Sequence, residues 1–122
     1  MEDNTFLVYE YEGMGSARAT EEVVLKIAAL AACEVEGVEC LGANVYKEHI
    51  EKMSRKAISS CIKIVKREGQ IDILMSMVVK MGISIPELSR NVQEKVKSTV
   101  ESMLEIKVGA VNIQIANMKV DK

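Results

Sequence analysis

The sequence has 122 residues, of which 48% are hydrophobic and 28% charged, with a formal net charge of −2. This length and composition suit one globular domain spanning residues 1–122, and exclude two ordinary domains. No apolar run reaches the roughly 18–20 residues that a membrane-spanning helix needs. The sequence opens with Met1, Glu2 and Asp3, which is acidic where a signal peptide is basic, so we expect a cytoplasmic protein.

The first elements in chain order are predicted to be a strand and a helix. Phe6–Tyr11 (FLVYEY) is rich in β-branched and aromatic residues, which favours a short strand. A helix is predicted over Glu21–Glu36, with Thr20 as its N-cap and Gly37 as the residue that ends it. Residues 37–44 are expected to form turns. Residues 45–59 are expected to form a variable, basic segment with a short helix.

Residues 61–81 predict a β-hairpin. Two alternating runs, Cys61–Lys66 and Ile71–Met81, are joined by a short loop that contains Gly69. The odd-numbered residues of the second run form one apolar face. The opposite face includes Leu74 and Val78, which are too apolar for a fully hydrated surface. We therefore expect the variable segment of residues 45–59 or another subunit to cover these two residues in part.

The last third predicts a long amphipathic helix and a final strand. Ser84 and Glu87 have the spacing of a capping box, and Pro86 falls in the first turn, where its missing N–H costs nothing. An apolar stripe of one helix face follows at Leu88, Val92, Val96, Val100 and Met103 or Leu104. Lys107–Ile115 alternates as a strand does. Residues 1–5 and 116–122 are expected to be mobile tails.

This order of elements predicts an α+β fold. Two main helices would cover one face of a small mixed or antiparallel β-sheet. The split β-α-β arrangement of ferredoxin-like folds, or a related one, is the simplest topology with this order.

No catalytic residue, cofactor-binding residue or metal ligand is assigned. The single histidine, His49, lies in a charged stretch, and no nucleophile elbow, phosphate-binding loop or paired-histidine motif is present. Cys33, Cys40 and Cys61 lack zinc-site spacing and are interpreted as reduced, mostly buried thiols. These observations predict a protein that is not an enzyme and needs no cofactor.

The charge is unevenly distributed along the chain. Residues 1–40 carry nine acidic and two basic side chains, a net of −7, whereas residues 47–67 carry seven basic and two acidic ones, a net of +5. Such asymmetry either joins neighbouring subunits or forms an ordinary hydrated surface. The candidate interaction residues are Leu74, Val78, Arg55, Lys56, Lys63, Lys66 and Arg67.

Nucleic-acid binding is the alternative that the basic segment raises. However, the chain is acidic overall, with a pI near 5.5, and its predicted strands lack the aromatic residues that stack on bases. We therefore expect no nucleic-acid partner. Direct membrane insertion is not expected either, because the basic segment lacks an apolar face with Trp or Phe.

Three stretches together resemble a known family. They are EEVVLKIAALAACEVEGVECLG (Glu21–Gly42), IDILMSMVVKMGISIPELSRNVQEKVKSTVESM (Ile71–Met103) and LEIKVGAVNIQIANMKV (Leu104–Val120). In order and spacing they resemble the alkaline-shock-protein family of envelope stress-response proteins, common in Gram-positive bacteria. The chain departs from the family pattern at Ala29, which replaces a frequent glycine, and at Leu74 and Met81, which replace aromatic residues.

The resemblance implies a non-enzymatic cytoplasmic protein that associates with itself. It also implies a membrane-anchored partner protein and a role in cell-envelope homeostasis. We therefore expect a scaffold or adaptor near the inner face of the membrane. The alternative is a soluble regulator that binds a metabolic enzyme, such as one of fatty-acid synthesis, with Lys47–Arg67 as its docking surface.

Overall fold

A computed structural model describes residues 5–11 and 15–120 of the chain, with side chains described from residue 21 to residue 120. The helices and strands of this part are, in chain order, β1 (Thr5–Tyr11), β2 (Gly15–Thr20), α1 (Glu21–Cys33), β3 (Val38–Leu41), a 3-10 helix (Lys47–Lys52), α2 (Arg55–Ile58), β4 (Ile62–Arg67), β5 (Gln70–Lys80), α3 (Ile85–Leu104) and β6 (Val108–Lys119).

The main sheet is mixed and is organised around β5. β6 runs parallel to β5 along one side. β4 and β3 both pair antiparallel with the other side of β5, where β4 pairs with residues 70–75 and β3 with residues 77–79. The β5–α3–β6 unit is therefore a β-α-β crossover, and β5 is hydrogen-bonded along both of its edges.

The hydrophobic core lies between the sheet and the two long helices. The odd-numbered residues of β5, from Ile71 to Val79, are all buried on the helix side. α3 buries a stripe at Leu88, Val92, Val96 and Val100, spaced by four residues so that they share one face. α1 contributes mostly small residues, such as Ala28 and Ala32, which let it approach its neighbours closely. Lys95 of α3 and Glu34, just after α1, form an ion pair at 3.3 Å.

The predicted fold class is confirmed: the protein is α+β, with two main helices on one face of a mixed sheet. Phe6–Tyr11 is a strand, as predicted, but it pairs with β2 in a separate two-stranded sheet. The prediction of turns over residues 37–44 is wrong at Val38–Leu41, which form β3. This strand is held by hydrogen bonds to the distant β5, which a local pattern does not reveal.

The end of α1 differs from its prediction. α1 ends at Cys33 rather than at Glu36, because the backbone tightens into turns in which Glu34 N donates to Ala31 O and Val35 N donates to Ala32 O. Gly37 follows with a φ of +101°, and a Cβ at this position would lie 2.7 Å from Leu88 Cδ1. Glycine is needed here for both the backbone conformation and the close approach to α3.

The start of α3 confirms one prediction and corrects another. Ser84 is the N-cap residue and Pro86 lies in the first turn, as predicted. However, the Ser84 side chain makes no capping hydrogen bond, so the reciprocal capping box does not form. The Leu88 N–H donates to Ser84 O at 2.9 Å, which is the first regular hydrogen bond of the helix backbone.

The segment 45–59 and the end of the chain are more ordered than predicted. The single basic helix expected in residues 45–59 is divided into the 3-10 helix and α2, and buried Ile50 and Ile58 attach these to the core. β6 continues to Lys119, so residues 116–119, predicted as part of a tail, belong to a strand. At the other end, residues 1–4 of the predicted tail lie outside the described residues, and Thr5 begins β1.

Candidate interaction surface

The side of the sheet that faces away from α1 and α3 is called here the open face. It is formed by the even-numbered residues of β5 and by the residues beside them on β4 and β6. Leu74 is 41% exposed at its centre, and Val78 is half-buried four residues further along β5. The prediction that these two residues share a face opposite the core is confirmed.

The register places specific neighbours around Leu74 and Val78. Lys63 of β4 and Asn112 of β6 lie directly opposite Leu74, one on each side. Asn117 of β6 and Cys40 of β3 flank Val78. The open face therefore has an apolar centre line with polar and basic side chains next to it.

One further apolar residue belongs to this surface and was missed from the sequence. Val65 of β4 is 55% exposed and lies opposite Asp72. The sequence could have placed Val65 on this face, because Ile62 and Ile64 alternate with Lys63 and Val65 in the first strand of the hairpin. Antiparallel pairing through the Gly69 loop then places Val65 on the same face as Leu74.

Ion pairs fix the two ends of the open face. Arg67 Nε lies 2.8 Å from Asp72 Oδ2, while the other oxygen of Asp72 accepts the Ala110 N–H at 3.0 Å. At the far end, Lys119 Nζ donates to Glu39 Oε2 at 3.4 Å. This hydrogen bond and the Glu39 charge raise the pKa of Lys119, so that residue remains cationic at physiological pH.

The structure divides the predicted basic candidates among three places. Lys63 and Arg67 lie on the open face with Leu74 and Val78. Arg55, on α2, forms an ion pair with Glu21 of α1 at 2.8 Å, and Lys56 is its exposed neighbour on α2. Lys66 lies opposite Ile71, a helix-side residue, which places it on the other face of the sheet. The basic segment therefore does not form one continuous stripe.

The thiols and the clefts suggest no reaction centre. All three cysteines are free, and burial raises the pKa of Cys33 to about 12, which keeps that thiol protonated and unreactive at neutral pH. A cavity of about 190 Å³ lies beside the N-terminus of α3, where Glu36 and Glu87 are among its lining residues. Among residues 21–120, no group of three or more His, Cys, Asp or Glu side chains is placed to hold a metal ion.

Comparison with known proteins identifies the family. The model of the alkaline shock protein 23 family, which is described as having a cell envelope-related function, matches residues 9–120. The chain belongs to this family. The resemblance drawn from the three sequence stretches is confirmed, because the match covers all of them.

Individual relatives agree with this assignment. The chain is 29% identical to the uncharacterized protein YqhY of Bacillus subtilis, over 99% of this chain and 91% of YqhY. It is 33% identical to the uncharacterized protein YloU of the same organism, over 87% of this chain and 90% of YloU. The uncharacterized protein Spy1614 of Streptococcus pyogenes is 28% identical, over 87% of this chain and 89% of that protein. No solved structure is significantly similar to the chain.

The family description gives the coarse function, which is related to the cell envelope. Neither that description nor the names of these relatives mentions an enzymatic activity. Among the helices of the described residues, none is long and apolar enough to cross a membrane.

Proposed function

We propose that this chain is a non-enzymatic, self-associating scaffold or adaptor in cell-envelope homeostasis or the envelope stress response. It acts at the cytoplasmic face of the membrane through a partner protein. The observation that carries the self-association is the open face, where Leu74 and Val65 are exposed on a sheet whose opposite side is fully packed. The cell envelope-related description of the family supports the setting.

The chemistry of the open face suits a second copy of the chain. An exposed apolar centre line bordered by polar groups is the usual composition of a protein–protein interface. The bordering charges include both signs, since Lys63 and Arg67 are basic while Asp72 and Glu39 are acidic. Two such faces can therefore meet in an orientation that places opposite charges next to each other.

A double substitution tests self-association through this face. Leu74→Ser with Val78→Ser should lower the average mass of the protein measured by sedimentation equilibrium, because it removes the apolar centre line. Val23→Ser is the matched control, because Val23 is also 41% exposed but lies on α1. Circular dichroism should show the same thermal transition for all three proteins within a few degrees.

Two results would contradict this proposal. If the double variant assembles as the wild type does, the open face is not the interface. If the wild type remains monomeric over the whole concentration range, self-association itself is refuted.

The partner is tested by capture from the cells that make the protein. Mild crosslinking, affinity capture of the chain and mass spectrometry should recover a small membrane-anchored protein together with the chain itself. Recovery of a soluble metabolic enzyme without membrane proteins would instead support the alternative function as a regulator. In that case, charge reversal at Lys63 and Arg67 should abolish binding of the enzyme, because these two predicted basic residues lie on the open face.

A further inference from the structure

β6 is an edge strand of the main sheet. Among the described residues it pairs with β5 alone. The odd-numbered residues at both ends of their pairing donate toward β6: Ile71 N to Lys107 O and Met81 N to Lys119 O, both at 2.9 Å. Ser76 N and Lys80 N donate on the opposite side of β5, to Cys61 O and Gly37 O. One side of β6 therefore pairs with β5, with two register irregularities, and its other side faces away from the sheet.

α3 supplies partners for the first part of that outer side. The Glu101 carboxylate accepts the Val108 N–H at 2.9 Å, and the Gln93 side-chain amide donates to Val111 O at 2.9 Å. The peptide groups of Val111 therefore point away from β5. Because strand peptides alternate, those of Ile113 and Ile115 point the same way. The outer side of β6 at residues 113–115, with the peptide groups of Ile113 and Ile115, is called here the free edge.

The free edge lies between two irregularities in the register of β6, one between Val108 and Val111 and one between Ile115 and Asn117, and it lacks the charged side chains and prolines that commonly protect edge strands. Val108–Met118 contains no charged residue and no proline over its whole length. Natural edge strands are commonly protected by such residues or by a covering element. The side chains of Ile113 and Ile115 are half-buried on the helix side, and Asn112 and Gln114 are exposed on the open face. An added strand would thus meet apolar side chains on one face and amides on the other.

A second copy of the chain does not fit here through its own β6. Gln93 and Glu101 reach the outer peptide groups of β6, which places α3 directly above this strand. Antiparallel pairing of two β6 strands would separate them by about 4.8 Å and put both α3 helices on the same side. Packed helices need about 8–10 Å between their axes. A single extended segment without a helix above it has no such conflict.

We propose that the free edge binds an extended segment of a partner protein as an added β-strand next to Ile113 and Ile115. The segment has apolar residues at alternate positions, which face the helix side, and uncharged polar residues between them. Its main chain supplies the hydrogen bonds and its apolar side chains the selectivity. This inference rests on the proposed adaptor function, for which it states how the partner is held.

A synthetic peptide tests the free edge independently of any natural partner. The probe is a six-residue segment of alternating valine and threonine with one lysine at each end. Native-state amide hydrogen exchange, followed by NMR, should show the amides of Ile113 and Ile115 exchanging rapidly in the free protein and at least about tenfold more slowly with bound peptide. The Gln114 amide, which points toward β5, should be slow in both states and is the internal control.

Substitutions at one position separate the backbone from the side chain. Ile113→Pro removes the outward N–H and keeps the β5 ladder, whereas Ile113→Ala removes similar side-chain bulk and keeps the N–H. The proline variant should bind the peptide about fivefold more weakly than the alanine variant, which corresponds to the loss of a hydrogen bond of roughly 1 kcal/mol. A peptide N-methylated at the amides that face the edge should not bind.

Equal binding by the proline and alanine variants would overturn the proposal, as would a peptide that protects neither Ile113 nor Ile115. The Leu74→Ser/Val78→Ser variant keeps the two proposals distinguishable. Peptide protection of Ile113 in that variant supports the free edge whether or not self-association is lost. Loss of self-association without any peptide protection would leave the open face supported and the free edge refuted.

Discussion

The two faces of β5 differ sharply although they belong to one strand of eleven residues. On the helix side, Ile73, Met75 and Met77 are completely buried. On the open face, Leu74 is 41% exposed and Lys80 is exposed. The helix side therefore specifies the fold, and the open face carries apolar residues that the folded chain by itself does not need.

The largest difference in stability should be between alanine substitutions at two neighbouring residues of β5, one on each face. Ile73→Ala should lower the free energy of unfolding by about 2–5 kcal/mol, because it leaves a cavity in a close-packed core. Leu74→Ala should change it by less than about 1 kcal/mol, because water already reaches that side chain. Urea denaturation of both variants measures the difference. Similar losses at the two positions would mean that the open face also stabilises the fold.

A smaller loss of stability is expected from substitutions at two glycines, Gly37 just before β3 and Gly69 between β4 and β5. Gly37→Ala should cost about 1–3 kcal/mol, because it combines a left-handed backbone with a Cβ that collides with Leu88 on the helix side. Gly69→Ala, in the turn between β4 and β5, has the same type of backbone but no atom within 4 Å of the new Cβ. It should cost only about 1 kcal/mol. The midpoint temperature of thermal denaturation should therefore be lower for Gly37→Ala than for Gly69→Ala. The reverse order would contradict the close approach of Gly37 to α3.

The smallest effect should be a pH dependence that originates on the helix side. Burial raises the pKa of the Cys33 thiol from 9.0 to about 12, so the unfolded chain loses this proton at lower pH than the folded one. Stability from this source is fully present below pH 9 and is lost as the pH rises from 9 toward 12. Urea denaturation at several pH values should show a steeper decline over this window for the wild type than for Cys33→Ala. Parallel declines would indicate that water reaches the thiol.

The elements whose periodicity is local were predictable from the sequence. The alternation of β5 and the four-residue stripe of α3 depend only on the residues within each element, so they indicated the buried faces correctly. β3 was not predictable, because its four residues are a strand only through pairing with Val78 and Val79 far along the chain. β2 (GSARAT) carries little β-propensity and was missed for a similar reason.

The candidate surface was predictable in part. The positions of Leu74 and Val78 followed from the alternation of side chains along one strand. Val65 could have been found from the register of the hairpin. The division of the basic residues could not be predicted, because the pairing of Arg55 with Glu21 depends on how the 3-10 helix and α2 return to α1. The free edge also required the structure, since only the positions of β5 and α3 show which peptide groups of β6 have no partner among the described residues.

The end-to-end arrangement of β3 and β4 has a consequence for how this chain tolerates change. Both strands meet at one residue of β5: Gly42 N donates to Ser76 O at 2.8 Å, and Ser76 N donates to Cys61 O at 2.9 Å. Residues 43–60 therefore form an insertion within one edge of the sheet, with its two ends already touching. Doubling the length of such an insertion costs only about 0.6 kcal/mol of loop-closure entropy. The domain can therefore acquire extra residues in the exposed parts of this insertion while Ile50 and Ile58 stay in the core and the sheet keeps the same register.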